Sequence, residues 1–284
     1  MNQSKFRIYS LAATFVLLNF SVNSSLAGSF PSAENVQTPG GKNSCMGGKP
    51  TIICSGGYCA GTEGPDVILG TNGDDDIEGM AGNDVICGRN GADSITGGKG
   101  DDLLFGQDGR DTISGGDGDD FINGGPLSDN LNGNRGKDKI LGGSGDDTIY
   151  GESFIDTDSG EDDNLYGENG NDKIYGGGGN DFLLGGRGID LLQGSFGKDK
   201  IRGGSGNDIL MGEEDDDQLD GDSGDDDLNG GAGDDLLFGD TGSDHCHGGD
   251  AVGGIDYDDL DVIQEGMPTT CEFPTELDGQ YPIP

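Results

Sequence analysis

An aspartate returns at every ninth residue over most of this chain, and few folds accept such a phase. The stretch Gly115–Asn123, GGDGDDFIN, shows the unit: two glycines, a third glycine at the fourth place, an aspartate at the sixth and a branched apolar residue at the eighth. From Gly61 to Tyr150 the period holds for ten units without slippage. Its sixth place is Asp66, Asp75, Asp84, Asp93, Asp102, Asp111, Asp120, Asp129, Asp138 and Asp147. Its eighth place is Ile68, Ile77, Ile86, Ile95, Leu104, Ile113, Ile122, Leu131, Ile140 and Ile149. A sixteen-residue unit, Gly151–Tyr166, closes in phase on Asp163 and Leu165, so residues 152–159 read as a loop inserted into a continuous stack. Nine more units follow to His247, with Asp172, Asp181, Asp190, Asp199, Asp208, Asp217, Asp226, Asp235 and Asp244 in phase. The apolar column continues from Ile174 through Leu237 and ends in Cys246.

A nine-residue period is too short for a helix pair or a propeller blade. Each unit offers about six turn residues and three strand residues. Alternation along a strand puts the eighth-place residue on one face and its two neighbours on the other. Two units then make a coil of about 18 residues, with two parallel sheets facing across an Ile/Leu ladder. The expected fold is all-β: a right-handed parallel β-roll, or β-solenoid, of about ten two-repeat coils, with short irregular caps. At ~4.8 Å per coil the rod is roughly 45–50 Å long.

Composition sharpens the problem such a fold must solve. Gly is 60 of 284 residues, only 30% of residues are hydrophobic, and the formal charge is −40. A chain this acidic and this poor in apolar residues is disordered unless cations neutralise it. Nucleic acid is excluded as a partner, because phosphate would be repelled.

Residues 1–27 read as a signal peptide. Lys5 and Arg7 precede the apolar run Ile8–Phe20, and Ser25-Leu26-Ala27 offers small residues for cleavage after Ala27. The run falls short of the ~20 residues that span a bilayer, and no other transmembrane segment is expected after cleavage. The predicted mature chain is secreted and carries 13 basic against 55 acidic residues, or −42. Residues 28–60 suit an N-terminal cap, 61–247 the repeat roll, and 248–284 a C-terminal cap and tail. Six cysteines behind a signal peptide suggest disulfides, with fifteen possible connectivities. Four lie at the front of the array and two at the back, which suggests Cys45–Cys87, Cys54–Cys59 and Cys246–Cys271. The rival reading is zinc at Cys54/Cys59 or at His245-Cys246-His247, but no CxxC spacing supports it.

The twenty-fold repeat resembles the RTX, or haemolysin-type, nonapeptide family. That resemblance implies a parallel β-roll binding several Ca²⁺ ions in its turns. Carried over, all twenty aspartates from Asp66 to Asp244 supply side-chain oxygens and glycine-turn carbonyls complete the sites. Turns one coil apart, such as those of Asp102 and Asp120, then share an ion. Elementary chemistry agrees: Ca²⁺ is a hard cation that takes six to eight oxygens at flexible geometry. Two rows of ten turns leave about 18 gaps, and filling them brings about +36 against −42.

Departures sort the positions. The fourth-place glycine gives way to Leu127 and Asp215, turns expected to bind poorly or stay empty. The fifth place varies among Asp, Asn, Lys198, Ile189 and Pro65, so its side chain is not a required ligand. Outward places hold Val67, Leu69, Val85, Leu103, Phe105, Phe121, Leu141, Tyr166, Phe182 and Leu184 on one sheet, an apolar face that needs a cap or a protein or cell-surface partner. An enzyme is disfavoured: there are two histidines, His245 and His247, and no HExxH or GxSxG motif. The expected function is calcium binding with a structural rather than catalytic purpose; a calcium-dependent adhesin or surface-layer role is the alternative.

Overall fold

The computed structural model describes residues 45, 49–152, 160–248 and the short strand Val262–Ile263. The expected signal peptide, the rest of the cap before residue 49, the inserted loop beyond Glu152, Cys271 and the remaining tail lie outside the described residues.

All the described elements are strands, and they form two parallel sheets stacked as a β-solenoid of about ten turns. Alternate strands go to alternate sheets, one of twelve strands and one of eleven. Residues 18 apart pair, as in Leu103↔Phe121 and Ile113↔Leu131. Across the insertion the step lengthens to 25 residues, Lys139↔Asn164 and Thr148↔Lys173, and the register is kept. Both sheets therefore continue across the lengthened unit without a shift.

The Ile/Leu column is the core. Ile68 through Leu237 form one ladder of fully buried side chains, with Cys54 joining at one end and Cys246 at the other. Each rung stabilises the roll by about 1.5–3 kcal/mol through burial. The strands are longer than the tripeptide expected from the sequence. Leu103–Asp108 and Thr112–Asp117 each run six residues, because the second and third residues of the next turn also pair. Gly98↔Gly116 is one such pair.

Regular stacking starts before the motif does. Ile52–Ile53 pairs with Ile68–Leu69, and Gly57–Ala60 with Asp75–Glu78, so residues 49–60 build an extra coil without a sixth-place aspartate. At the far end Val262–Ile263 pairs with Leu236–Leu237, a strand contributed by the segment after the array. On the outer face a second apolar cluster joins Cys45 to Leu69, Val85, Cys87 and Phe105. Cys45 lies against Cys87, and Cys54 against Cys59, with Cα atoms 5.8 and 5.6 Å apart. Both are disulfide distances.

Candidate metal centre

The nine-residue units after the first two build their turns alike. The second place takes positive φ in each of them and the fourth place in all but Gly109, as at Gly116 (125°) and Gly118 (139°). Glycine reaches this region without steric cost, which explains its frequency there. The fourth-place substitutes Leu127 and Asp215 adopt the same conformation, at 75° and 76°. Their turns are thus built like the others, despite a backbone cost of about 1–3 kcal/mol each. The second place is left-handed even where it is not glycine, as at Arg89, Gln107 and Ser195. That constraint is hidden in the sequence by the variety of residues that meet it.

This turn buries the sixth-place aspartate beneath its neighbours, and the two carboxylate oxygens have different fates. Oδ1 accepts a backbone N–H from the aspartate one coil earlier. The N–H of Asp102 donates to Asp120 at 2.8 Å, and that of Asp120 to Asp138 at 2.8 Å. Both ladders cross the insertion intact, Asp138 to Asp163 at 2.7 Å and Asp147 to Asp172 at 2.8 Å. Oδ2 is buried with no donor at all in eighteen of the twenty aspartates, from Asp84 and Asp93 to Asp235 and Asp244. A buried oxygen acceptor left unpaired is costly unless a proton or a cation meets it.

The surroundings of Oδ2 are oxygen-lined. A Cβ built on Gly115 would fall on Asp120 Oδ2 and lie 2.7 Å from the Gly133 carbonyl oxygen of the next coil. Gly106 repeats this with Asp111 and the Gly124 carbonyl, and Gly133 with Asp138 and the Gly151 carbonyl. The first-place glycine thus keeps open a seat between a carboxylate oxygen and a carbonyl oxygen. An all-oxygen donor set with a net negative charge fits a hard divalent cation such as Ca²⁺, not zinc.

Electrostatics agree with the geometry. Burial pushes the Asp120 carboxyl up to about 8, against the single backbone hydrogen bond, and Asp138 and Asp102 raise it further. Burial pushes Asp163 and Asp199 up to about 9 by the same route. Next to Asp163, the fifth-place Asp162 moves the other way, down to about 2, held by the Asn180 N–H and by Lys137. Adjacent carboxylates therefore have opposite environments.

The fifth place has its own task. Its side chain accepts the N–H of the fifth residue one coil later: Asp119 N–H to Asp101 at 3.1 Å, and Lys137 N–H to Asp119 at 3.0 Å. The donating residue needs only its N–H, so Ile189 and Lys198 fit, donating to Asn171 and Asn180. The two ladders run in opposite directions along the rod.

Two members of the predicted ligand set differ from the rest. Asp66 Oδ2 and Asp75 Oδ2 already have protein donors, Thr62 and Thr71. Burial works against ionisation of Asp66, but the Thr62 side chain and N–H and the Thr51 hydroxyl hold its carboxyl below the ordinary value. Asp66 has no donor-free oxygen, and in Asp75 the bare oxygen is Oδ1 instead of Oδ2. His245 and His247 are exposed and flank the inward Cys246, so the three side chains do not converge. Away from the columns, Asp220, Asp222 and Asp240 bring oxygens within 4.8 Å of one another, a cluster not foreseen from the sequence. Arg202 pairs with Asp220 at 3.4 Å and with Asp222 at 2.5 Å.

In comparisons with known proteins, the family model described as RTX calcium-binding nonapeptide repeat matches residues 60–95, 96–127, 123–158, 159–192, 184–219, 193–228 and 220–251. No curated protein matches the chain.

Proposed function

The chain belongs to the RTX calcium-binding nonapeptide-repeat family, and from that premise we propose that it is an exported protein whose roll assembles on binding Ca²⁺ and serves a structural rather than catalytic purpose. The observation that carries this reading is the file of buried, donor-free Oδ2 atoms beside carbonyl oxygens. The aspartates from Asp84 to Asp244 and the first-place glycine carbonyls would hold the ions. Bound Ca²⁺ supplies positive charge and oxygen coordination at each seat. Without it, two columns of closely stacked carboxylates repel along the whole rod, and the ladder of small coils is too little core to hold them together. Because each coil contacts only its neighbours, assembly spreads cooperatively along the stack.

Export is supported by the signal-like Met1–Ala27 segment and by the cysteine pairs at the front of the roll. Extracellular calcium is then the natural source of the ions. Circular dichroism during a calcium titration tests the reading: a coil spectrum in chelator should give way to a β spectrum. A chain already β-rich in chelator and unchanged by calcium would refute it.

A second reading, a spacer in a surface adhesin, draws on Leu141, Tyr166, Phe182 and Leu184, which stay only half-buried on the outer face. Pull-down from a cell-surface fraction with and without calcium separates the two.

A further inference from the structure

The first turn of each row departs from the regular nine-residue turns that follow it. Gly61–Asp66 and Gly70–Asp75 carry threonine at the second place, where later turns need positive φ. A β-branched side chain is poorly tolerated there. Neither Thr62 nor Thr71 takes positive φ, and neither do the fourth-place Gly64 and Gly73. The altered backbone turns the threonine N–H and hydroxyl onto the carboxylate of its own unit. Thr62 N and Oγ1 lie 2.7 and 2.9 Å from Asp66 Oδ2. Thr71 N and Oγ1 lie 2.6 and 3.0 Å from Asp75 Oδ2. Thr51 Oγ1 meets the other oxygen of Asp66 at 3.0 Å, so both oxygens of that residue have donors. The one oxygen left without a donor at this end is Asp75 Oδ1.

We propose that Thr62 and Thr71 close the two calcium rows, taking the place of an ion at Asp66 and Asp75, so that the rows begin at Asp84 and Asp93 and the first coil holds together without calcium. The proposal rests on the calcium reading above and adds where the rows stop. The opposite end is built differently: Asp240 and Gly242 have φ of 61° and 154°, and Asp244 Oδ2 has no donor. The rod is therefore closed at one end and ends in a cation-type turn at the other. The closed end is also where the Cys54–Cys59 pair caps the Ile ladder and Cys45 is tied to Cys87.

The test counts bound Ca²⁺ by native mass spectrometry on the full-length chain, comparing wild type with Asp66→Asn, Asp120→Asn and Thr62→Gly. Asparagine keeps the shape and an acceptor oxygen, so neither aspartate variant opens a hole. Asp66→Asn should leave the count unchanged, and Asp120→Asn should lower it by one. Thr62→Gly, which removes both the hydroxyl and the β-branch, should raise it by one. Loss of an ion in Asp66→Asn overturns the proposal, as does an unchanged count in Thr62→Gly. A wild-type chain that binds no calcium refutes the underlying calcium reading instead, and so the two failures are told apart.

Discussion

Two turns of nearly the same sequence behave in opposite ways. In Gly61–Asp66, GTEGPD, the carboxylate is surrounded by hydroxyls and an N–H. In Gly115–Asp120, GGDGDD, it has one N–H and one bare buried oxygen. The aspartate, the first glycine and the fourth glycine are common to both. The second residue differs, and with it the sign of φ, the direction of the backbone N–H, and the need for a cation. A metal motif thus depends on what its backbone leaves unsatisfied as much as on its carboxylate.

The largest expected effect lies in chelation. Amide hydrogen exchange in chelator at neutral pH should show coils from Asp84 onward losing protection, while residues 49–81 keep theirs. Uniform loss along the chain would erase the distinction between the ends.

Acidification should follow. In the metal-free roll, the interior carboxylates lie above their ordinary value of 3.8, between about 6 at Asp84 and about 9 at Asp163. A folded value above the unfolded one means the folded state holds more protons. Their contribution is full below about pH 4 and is lost as pH rises through about 6 to 9. A chain in chelator should therefore gain β signal as pH falls from 9 to 5, and calcium affinity should weaken over the same range as protons compete. Asp66 has the reverse sign: its contribution is present above about pH 4 and is lost only as pH falls through its lowered value. A β signal in chelator that does not respond to pH contradicts this.

A methyl group tests the turns one at a time. A Cβ at Gly118 would strike the Gly100 carbonyl, and its φ of 139° is strained for any side chain. Gly118→Ala should destabilise the calcium-loaded roll by about 1–3 kcal/mol. A Cβ at Gly64 meets nothing within 4 Å. Gly64→Ala should stay within about 0.5 kcal/mol of wild type in denaturant titration. Equal costs would show that the end turn is not relaxed.

The smallest effect is expected at the fifth place. Asp119→Ala removes one acceptor for the Lys137 N–H and should cost about 1 kcal/mol, with the calcium count unchanged. Loss of an ion would make the fifth place a ligand after all.

The ninth-residue phase made the two sheets, the Ile ladder and the aspartate columns legible in advance, because period and alternation translate directly into which side chains face one another. That the stack resumes after the lengthened unit was legible for the same reason: Asp163 and Leu165 return in phase, although Glu152, read as part of the loop, is buried and bonded to the Gly176 carbonyl. The coil formed by residues 49–60 was not, since it carries no motif aspartate and does not keep the nine-residue phase. The left-handed second place was not either. Met80, Arg89, Gln107 and Ser195 share no side-chain property, only a dihedral angle.

By itself the sequence determined the repeat, its two-unit coil and the two columns of stacked carboxylates, since these follow from spacing and residue type. Only the tertiary structure decided which oxygen of each aspartate is committed and which is left bare. That division depends on the N–H of a residue 18 or 25 positions away, brought into place by the stack. It also separated Asp66 and Asp75 from the other eighteen, because a hydrogen bond four residues long can replace an ion only where the backbone turns the donor inward.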